Sequence, residues 1–236
     1  MIDNKEYIDL KRWFEETADV CCEDMGAFFD RRIADYEEHM SFWKEHYRRV
    51  AELLPNSTQT LLDLGCGTGL ELDRIFERLP DIRVTAIDLS DSMIAELLKK
   101  HGHRALEVIN GDYFLHDFGE NRFDAAVSVE SLHHFTAEKK SGLFKNICRA
   151  LKPGGIYIEC DYIASAPEIE ELAFAECSRR RERDGIPNDC YIHFDTPLTL
   201  GHEMDAIRSG GFCDVELAEN LNGTPIIIAK KKENLI

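Results

Sequence analysis

Two carboxylates frame a turn of three glycines. The segment Leu61-Leu62-Asp63-Leu64-Gly65-Cys66-Gly67-Thr68-Gly69 puts an acid two residues before the first glycine, and a second acid, Asp88, closes the apolar run Val84-Thr85-Ala86-Ile87. Glycine has no Cβ, so such a turn lets a ligand lie against bare backbone. An acid at the end of the next strand, about 20 residues on, stands where a ribose-binding carboxylate sits after a turn of this kind. Together they predict a nucleoside site.

The glycine spacing narrows the nucleoside. A dinucleotide turn reads G-x-G-x-x-G and aims a helix N-terminus at a pyrophosphate. Here the spacing is Gly65-x-Gly67-x-Gly69, with no Lys-Ser/Thr after it as a P-loop requires. This D-x-G-x-G-x-G turn resembles motif I of the class I S-adenosylmethionine (SAM) methyltransferases. Further matches follow in order. Val84 to Asp88 resembles the family's second strand, and Asn110-Gly111-Asp112-Tyr113 its third-strand turn. Phe123-Asp124-Ala125-Ala126-Val127-Ser128-Val129-Glu130-Ser131-Leu132-His133-His134-Phe135 resembles motif IV, and Leu151-Lys152-Pro153-Gly154-Gly155-Ile156-Tyr157-Ile158 the turn into the fifth strand. The resemblance covers residues 57–161 strongly and the C-terminal strands more loosely, and is closest to the small-molecule type.

The resemblance implies SAM as cofactor and S-adenosylhomocysteine (SAH) as product. It assigns Asp88 to the ribose hydroxyls, Asp112 to the adenine amino group, and Tyr113 to packing beside the adenine. Asp63, Gly65, Cys66, Gly67, Gly69, Leu89, Met93, Val129 and Glu130 complete the implied cofactor contacts in the core. Tyr36, in Ala34-Asp35-Tyr36-Glu37, resembles an aromatic that N-terminal helices of this family lay over the cofactor. His133 and His134 follow the fourth strand, where the methyl group should point, and imidazole titrates in a useful range for a general base. A structural histidine that only shapes the pocket is the competing reading. Asp161, Tyr162, Tyr191 and His193 are candidate substrate residues, with Asp195 beside them; turn chemistry around Pro197 is the alternative there.

These residues need elements to carry them. Apolar runs predict strands near 60–64, 83–88, 105–110, 123–129, 155–161, 212–217 and 224–230, and helices near 70–79, 91–100, 138–151 and 199–209. Strand–helix alternation implies a mostly parallel sheet covered on both faces, with ligands beyond the strands' carboxyl ends. Asp63, Asp88, Asp112 and Glu130 all occur at those ends. Phe29, Ile33, Tyr36, Met40, Trp43, Tyr47, Val50 and Leu54 recur in alternating steps of four and three, a helical stripe. Ser165-Ala166-Pro167-Glu168 reads as a capping box opening a charged helix that runs to about Arg183. Glu219 to Gly223 suits a hairpin linker. The expected fold is therefore α/β: a Rossmann-like, doubly wound, seven-stranded, mostly parallel sheet with an antiparallel last strand. It is read as one domain, with a helical cap over residues 1–56, a SAM-binding core over 57–161, a cap insertion over 162–200, and a closing helix and strand pair over 201–236. Residues 28–54 and 162–200 are expected to roof the methyl end of the pocket.

Composition limits the partners. The chain has 236 residues, 45 acidic against 28 Lys and Arg, and a net charge of −17. That balance opposes nucleic acid, whose binding rests on cationic contacts; Arg179-Arg180-Arg181 with Arg183 is the best candidate for a basic patch and reads as a solvated helix face. Eight cysteines without a C-x-x-C pair suggest neither a zinc site nor a disulfide framework, and a cytoplasmic location. No metal ligand set is expected from the spacing. No run is long enough to span a membrane, and the charged N-terminus shows no secretory signal. A small-molecule acceptor and a monomer or homodimer are expected. Three competing readings stay open: a tRNA-modifying enzyme resembling those that make wobble-uridine oxyacetate, a nicotinamide oxidoreductase, and an inactive SAM- or SAH-binding protein. The absence of N/D-P-P-Y after the fourth strand sets aside the types that methylate nucleic acid amino groups and protein glutamine.

Overall fold

A computed structural model describes residues 4–234. Seven strands form one sheet: β1 (Thr60–Leu64), β2 (Arg83–Asp88), β3 (Leu106–Asn110), β4 (Phe123–Val129), β5 (Leu151–Cys160), β6 (Asp214–Leu221) and β7 (Thr224–Lys230), in the order β3-β2-β1-β4-β5-β7-β6. The first five are parallel neighbours, and β7 runs antiparallel to both β5 and β6. The expected fold class is the observed one. Strand order reverses between β1 and its two neighbours, so a crevice opens at their carboxyl ends. Register levels those ends: Asp63 lies beside Ala86 and Val127, and Asp88 beside Asn110.

Alternation along β1 shows how the layers form. Leu61 points into an apolar layer with α4 (Lys44–Leu53) and α5 (Leu70–Arg78), while Leu62 and Leu64 point into the opposite layer with α7 (Ala137–Ala150) and α9 (Leu200–Ser209). Both layers are built from fully buried side chains such as Leu72, Ile75, Phe76, Phe144 and Ile147. α6 (Asp91–His101) joins the α5 side through Leu97. A smaller apolar cluster, Phe14, Ala173, Ile192 and Phe194, joins α1 (Asn4–Glu16) to α8 (Pro167–Asp184). Among the described residues no helix is long and apolar enough to cross a membrane.

Three local expectations are corrected. The stripe from Phe29 to Leu54 is not one helix but α2 (Met25–Arg32), α3 (Tyr36–His39), a 3₁₀ turn (Met40–Trp43) and α4. A straight helix of that length would reach about 39 Å; the breaks instead fold α2 and α3 back over the crevice while α4 stays in the core through Tyr47, Val50 and Leu54. Ser165 does not cap α8: Ala166 holds that position without a side-chain bond, because the Ser165 hydroxyl donates to Glu6 Oε2 at 2.6 Å. The final hairpin turns on Asn222 and Gly223 alone, both at positive φ (53° and 96°), as a tight two-residue turn demands, so β6 extends to Leu221.

α7 and α9 meet where Gly210 ends α9, and a Cβ there would lie 2.8 Å from the Phe144 carbonyl carbon and 3.0 Å from the Lys145 nitrogen. Backbone cannot yield as a flexible side chain can. Gly210→Ala should therefore cost roughly 1–3 kcal/mol, seen as a lower urea midpoint with an unchanged m-value.

Candidate functional site

The glycine turn runs from the end of β1 into α5. Gly65, Gly67 and Gly69 have φ of 70°, 48° and 76°, a region that costs other residues a Cβ clash. The Gly65 amide donates to the Ile87 carbonyl at 2.9 Å, and the Gly67 amide to Asp88 Oδ2 at 2.9 Å. The other oxygen of Asp88 accepts from the Ser90 amide at 2.9 Å. A Cβ on Gly65 would lie 2.0 Å from Ser131 Oγ, so bare backbone here admits the loop after β4. Gly69 has a different job: a Cβ there would lie 2.5 Å from Leu97 Cδ1, so it lets α5 approach α6. Cys66 is buried in the core and is not part of the wall of the cleft over this turn.

A cleft of about 60 Å³ lies over this turn. Its walls include Tyr36, Gly65, Gly67, Asp88, Leu89, Met93, Tyr113, Val129, Glu130 and His134, all singled out from sequence. Met25, Gly26, Phe29, Ser90 and Ser131 join them without having been singled out. Tyr36 covers the turn: its hydroxyl is 3.3 Å from where a Gly67 Cβ would stand. Asp30 anchors the cap, accepting from Ser90 Oγ at 2.7 Å and Ser92 Oγ at 2.6 Å, a clamp that no periodicity reveals.

Past Glu130 and His134 the cleft continues into a cavity of about 420 Å³ that shares Phe29, Tyr36, Glu130 and His134 with it. Phe28, Arg32, His39, Met40 and Trp43 wall it on the N-terminal side, His193 and Asp195 on the other, and His133 and His134 stand after β4. Trp43 packs against the core layer of α4 and α5 and also lines this cavity. The two covers bond to each other: the Met25 amide donates to the Tyr191 carbonyl at 3.1 Å, and the His193 amide to the Glu23 carbonyl at 3.0 Å. The His193 ring stacks on Phe28 with centroids 3.4 Å apart.

The proposed substrate residues scatter. His193 faces the larger cavity. Tyr191 does not: its hydroxyl donates to Asp112 Oδ2 at 2.6 Å, and both line a separate cavity of about 660 Å³ with Lys139. Asp161 is buried behind His133, its Oδ1 2.5 Å from His133 Nδ1 and its Oδ2 accepting from the Leu132 amide at 2.7 Å. The Tyr162 ring is 6.1 Å from that of His133 but outside the cavity wall.

Burial sets the electrostatics. It pushes the Asp88 carboxyl up, against the amides of Ser90 and Gly67 that hold it ionised. Burial, then the nearby Asp161 charge, pushes Glu130 up to about 8. Glu130 sits at a positive φ of 50°, and its Oε1 has no hydrogen-bond partner. No Lys or Arg lines the smaller cleft. Such a wall suits a cation and offers a pyrophosphate nothing, which fits a ligand carrying a sulfonium and an ammonium. The histidines diverge. Burial alone would lower His133, but Asp161 overrides it and lifts it to about 9. Burial and the His133 charge lower His134, while burial and the His134 ring take His193 down to about 3.

Asp63 never reaches the cleft surface. It is buried against Glu71 of α5, and the two carboxyls share a hydrogen bond that needs one proton between them. Burial lifts both, Glu71 from 4.5 to about 7. Across that window the folded protein holds a proton that the unfolded chain has released, so stability falls as pH rises through it. Glu71→Gln keeps a donor toward Asp63 without that titration. Denaturant midpoints should drop less for the variant than for the parent between pH 5 and pH 8; parallel profiles would show the pair is not the source.

Comparison with known proteins agrees with this geometry. Residues 61–155 match a family described as methyltransferase domain. The sterol 24-C-methyltransferase ERG6 of Saccharomyces cerevisiae is 31% identical over 206 residues, 83% of this chain and 47% of that one. The biotin biosynthesis bifunctional protein BioHC of Teredinibacter turnerae is 38% identical over 106 residues, 41% of this chain and 18% of that one. The chain thus spans less than half the length of either curated relative. Human N-acetylserotonin methyltransferase, solved with SAM, superposes with a TM-score of 0.64 at 19% identity, covering 86% of this chain and 56% of its own, a likeness of fold. The matched core, the sheet order and the carboxylates gathered at its carboxyl ends agree: residues 61–155 form a methyltransferase domain of the class I SAM-dependent type, whose cofactor is S-adenosylmethionine.

Proposed function

We propose that this chain transfers a methyl group from SAM to a small molecule held in the 420 Å³ cavity. One observation carries the reading: an acidic cleft over the glycine turn, with no cationic side chain in its wall, runs past Glu130 and His134 into a cavity walled by aromatic rings. When bound, the cofactor supplies a methyl group made electrophilic by positive sulfur. The chain's own residues do the rest. Asp88 accepts the ribose hydroxyls, Glu130 adds negative potential toward the sulfonium, and Tyr36 covers the turn. The two covers exclude water and hold the acceptor in line; such positioning can supply on the order of 7–11 kcal/mol.

Any proton the acceptor loses goes to His134 rather than His133. His134 is neutral, and its Nδ1 has no hydrogen-bond partner. His133 already holds a second proton against Asp161 and acts by orientation and charge. The net charge of −17 supports a small acceptor over a nucleic acid, and a cleft without a cation supports SAM over a nicotinamide dinucleotide. A cytoplasmic location goes with this reading, and eight free thiols support it.

Titration with SAH should show one saturable site with little competition from nicotinamide dinucleotides; the reverse order of affinities would sink the assignment. Asp88→Ala removes the ribose acceptor and frees the Gly67 amide, and should weaken SAH binding by roughly 2–3 kcal/mol. Once a screen for SAH release identifies an acceptor, His134→Gln should lower kcat while leaving SAH affinity unchanged. An unaltered kcat would move the base elsewhere.

A further inference from the structure

We infer that His133, His134 and Asp195 form a binding site for one divalent first-row transition ion, open toward the 420 Å³ cavity. Their donor atoms lie close together: Asp195 Oδ1 is 3.6 Å from His133 Nε2 and 3.2 Å from His134 Nδ1, and all three lie within 4.8 Å of one another. Two donors each bound at about 2.05 Å, at angles between octahedral and tetrahedral, stand roughly 2.9–3.4 Å apart. The spacing found here is therefore close to the edge of a coordination polyhedron.

The chemistry of the three atoms argues the same way. His134 Nδ1 is buried and stands 3.2 Å from Asp195 Oδ1, close enough for an ion pair but misaligned for a good hydrogen bond. A buried nitrogen in that state is costly, and an ion would satisfy it. His133 turns Nε2 to the site because Nδ1 is taken by Asp161, the carboxylate partner that ligating histidines have, and the ion takes the place of the proton that Nε2 otherwise carries. Asp161 is itself fixed by the amides of Leu132 and Tyr162, at 2.7 and 2.8 Å. Asp195 comes from the inserted segment, which is pinned beside His133 where the Thr196 amide donates to the His133 carbonyl at 2.9 Å. Two imidazoles and one carboxylate select Zn²⁺, Fe²⁺, Co²⁺ or Mn²⁺ over Mg²⁺ or Ca²⁺. Three protein ligands leave positions free, and these face the cavity. With the ion bound, His134 is a ligand and not a base. On the methyl-transfer reading, on which only this last step rests, the acceptor then carries a hydroxyl or thiol able to occupy a free position.

The test uses the full chain after chelator treatment, titrated with Co²⁺ and followed by visible absorption and equilibrium dialysis. One Co²⁺ per chain should bind with nitrogen–oxygen d–d bands, and Zn²⁺ should displace it. Asp195→Asn and His134→Gln should each lose that equivalent, and Asp195→Asn, which lies outside the cofactor cleft, should retain SAH affinity, which reports a folded cofactor site. Asp195 is half exposed on a loop, so its variant carries the test if His134→Gln fails to fold. No binding by the parent, binding unchanged in the variants, or a thiolate charge-transfer band would each overturn the site. Failure of SAH binding with the ion retained would overturn the methyl-transfer reading and leave the metal site standing.

Discussion

The bond from the Gly67 amide to Asp88 is the constraint on which the cleft depends. Three glycines at positive φ form a turn with many accessible alternatives in the unfolded chain, and only external partners select one. Asp88 does so from the neighbouring strand, and its second oxygen sets the start of α6 through the Ser90 amide. One carboxylate thus ties β1, β2 and two helix starts together. The same group lines the cleft over the turn.

A second constraint follows from placing acids where water is scarce. Asp63, Glu71, Asp88 and Glu130 lie close to one another without a lysine or arginine in the cleft wall. Their burial is unfavourable as long as they are ionised and unpaired. The fold meets this in three ways: amides on Asp88, a shared proton between Asp63 and Glu71, and a raised titration point at Glu130. A cationic ligand supplies the fourth, which makes the acidity of the cleft a form of preorganisation.

The core was legible because its signals are local. Apolar runs bounded by turns marked every strand, and Asp63, Asp88, Asp112 and Glu130 could be placed at carboxyl ends from order alone. The clamp from Asp30 to Ser90 and Ser92 was not legible, since it joins residues some 60 positions apart by side-chain hydroxyls. Nor was the break after Arg32, because a helical stripe interrupted by a turn keeps its apolar spacing while changing direction. Ser165 misled for a related reason: a capping motif reports what a side chain can do locally, and here a distant Glu6 took the hydroxyl. Asp195 had only its position near Pro197 to recommend it, and its meeting with His133 and His134 depends on how the insertion packs against the cap.

That packing also governs access. Over the glycine turn Tyr36 rests on the backbone, its hydroxyl 3.3 Å from where a Gly67 Cβ would stand. The cap is held by two serine hydroxyls on Asp30, the ion pair of Glu37 with Lys100 of α6, Met25 buried in the core, two backbone bonds to the insertion, and the stacking of Phe28 on His193. Helix α4 is locked by fully buried Val50 and Leu54. The 3₁₀ turn between α3 and α4 has no buried residue, so the short helical pieces there have few buried contacts to lose. Because α2 bonds to both α6 and the insertion, one element covers both the cleft over the glycine turn and the 420 Å³ cavity.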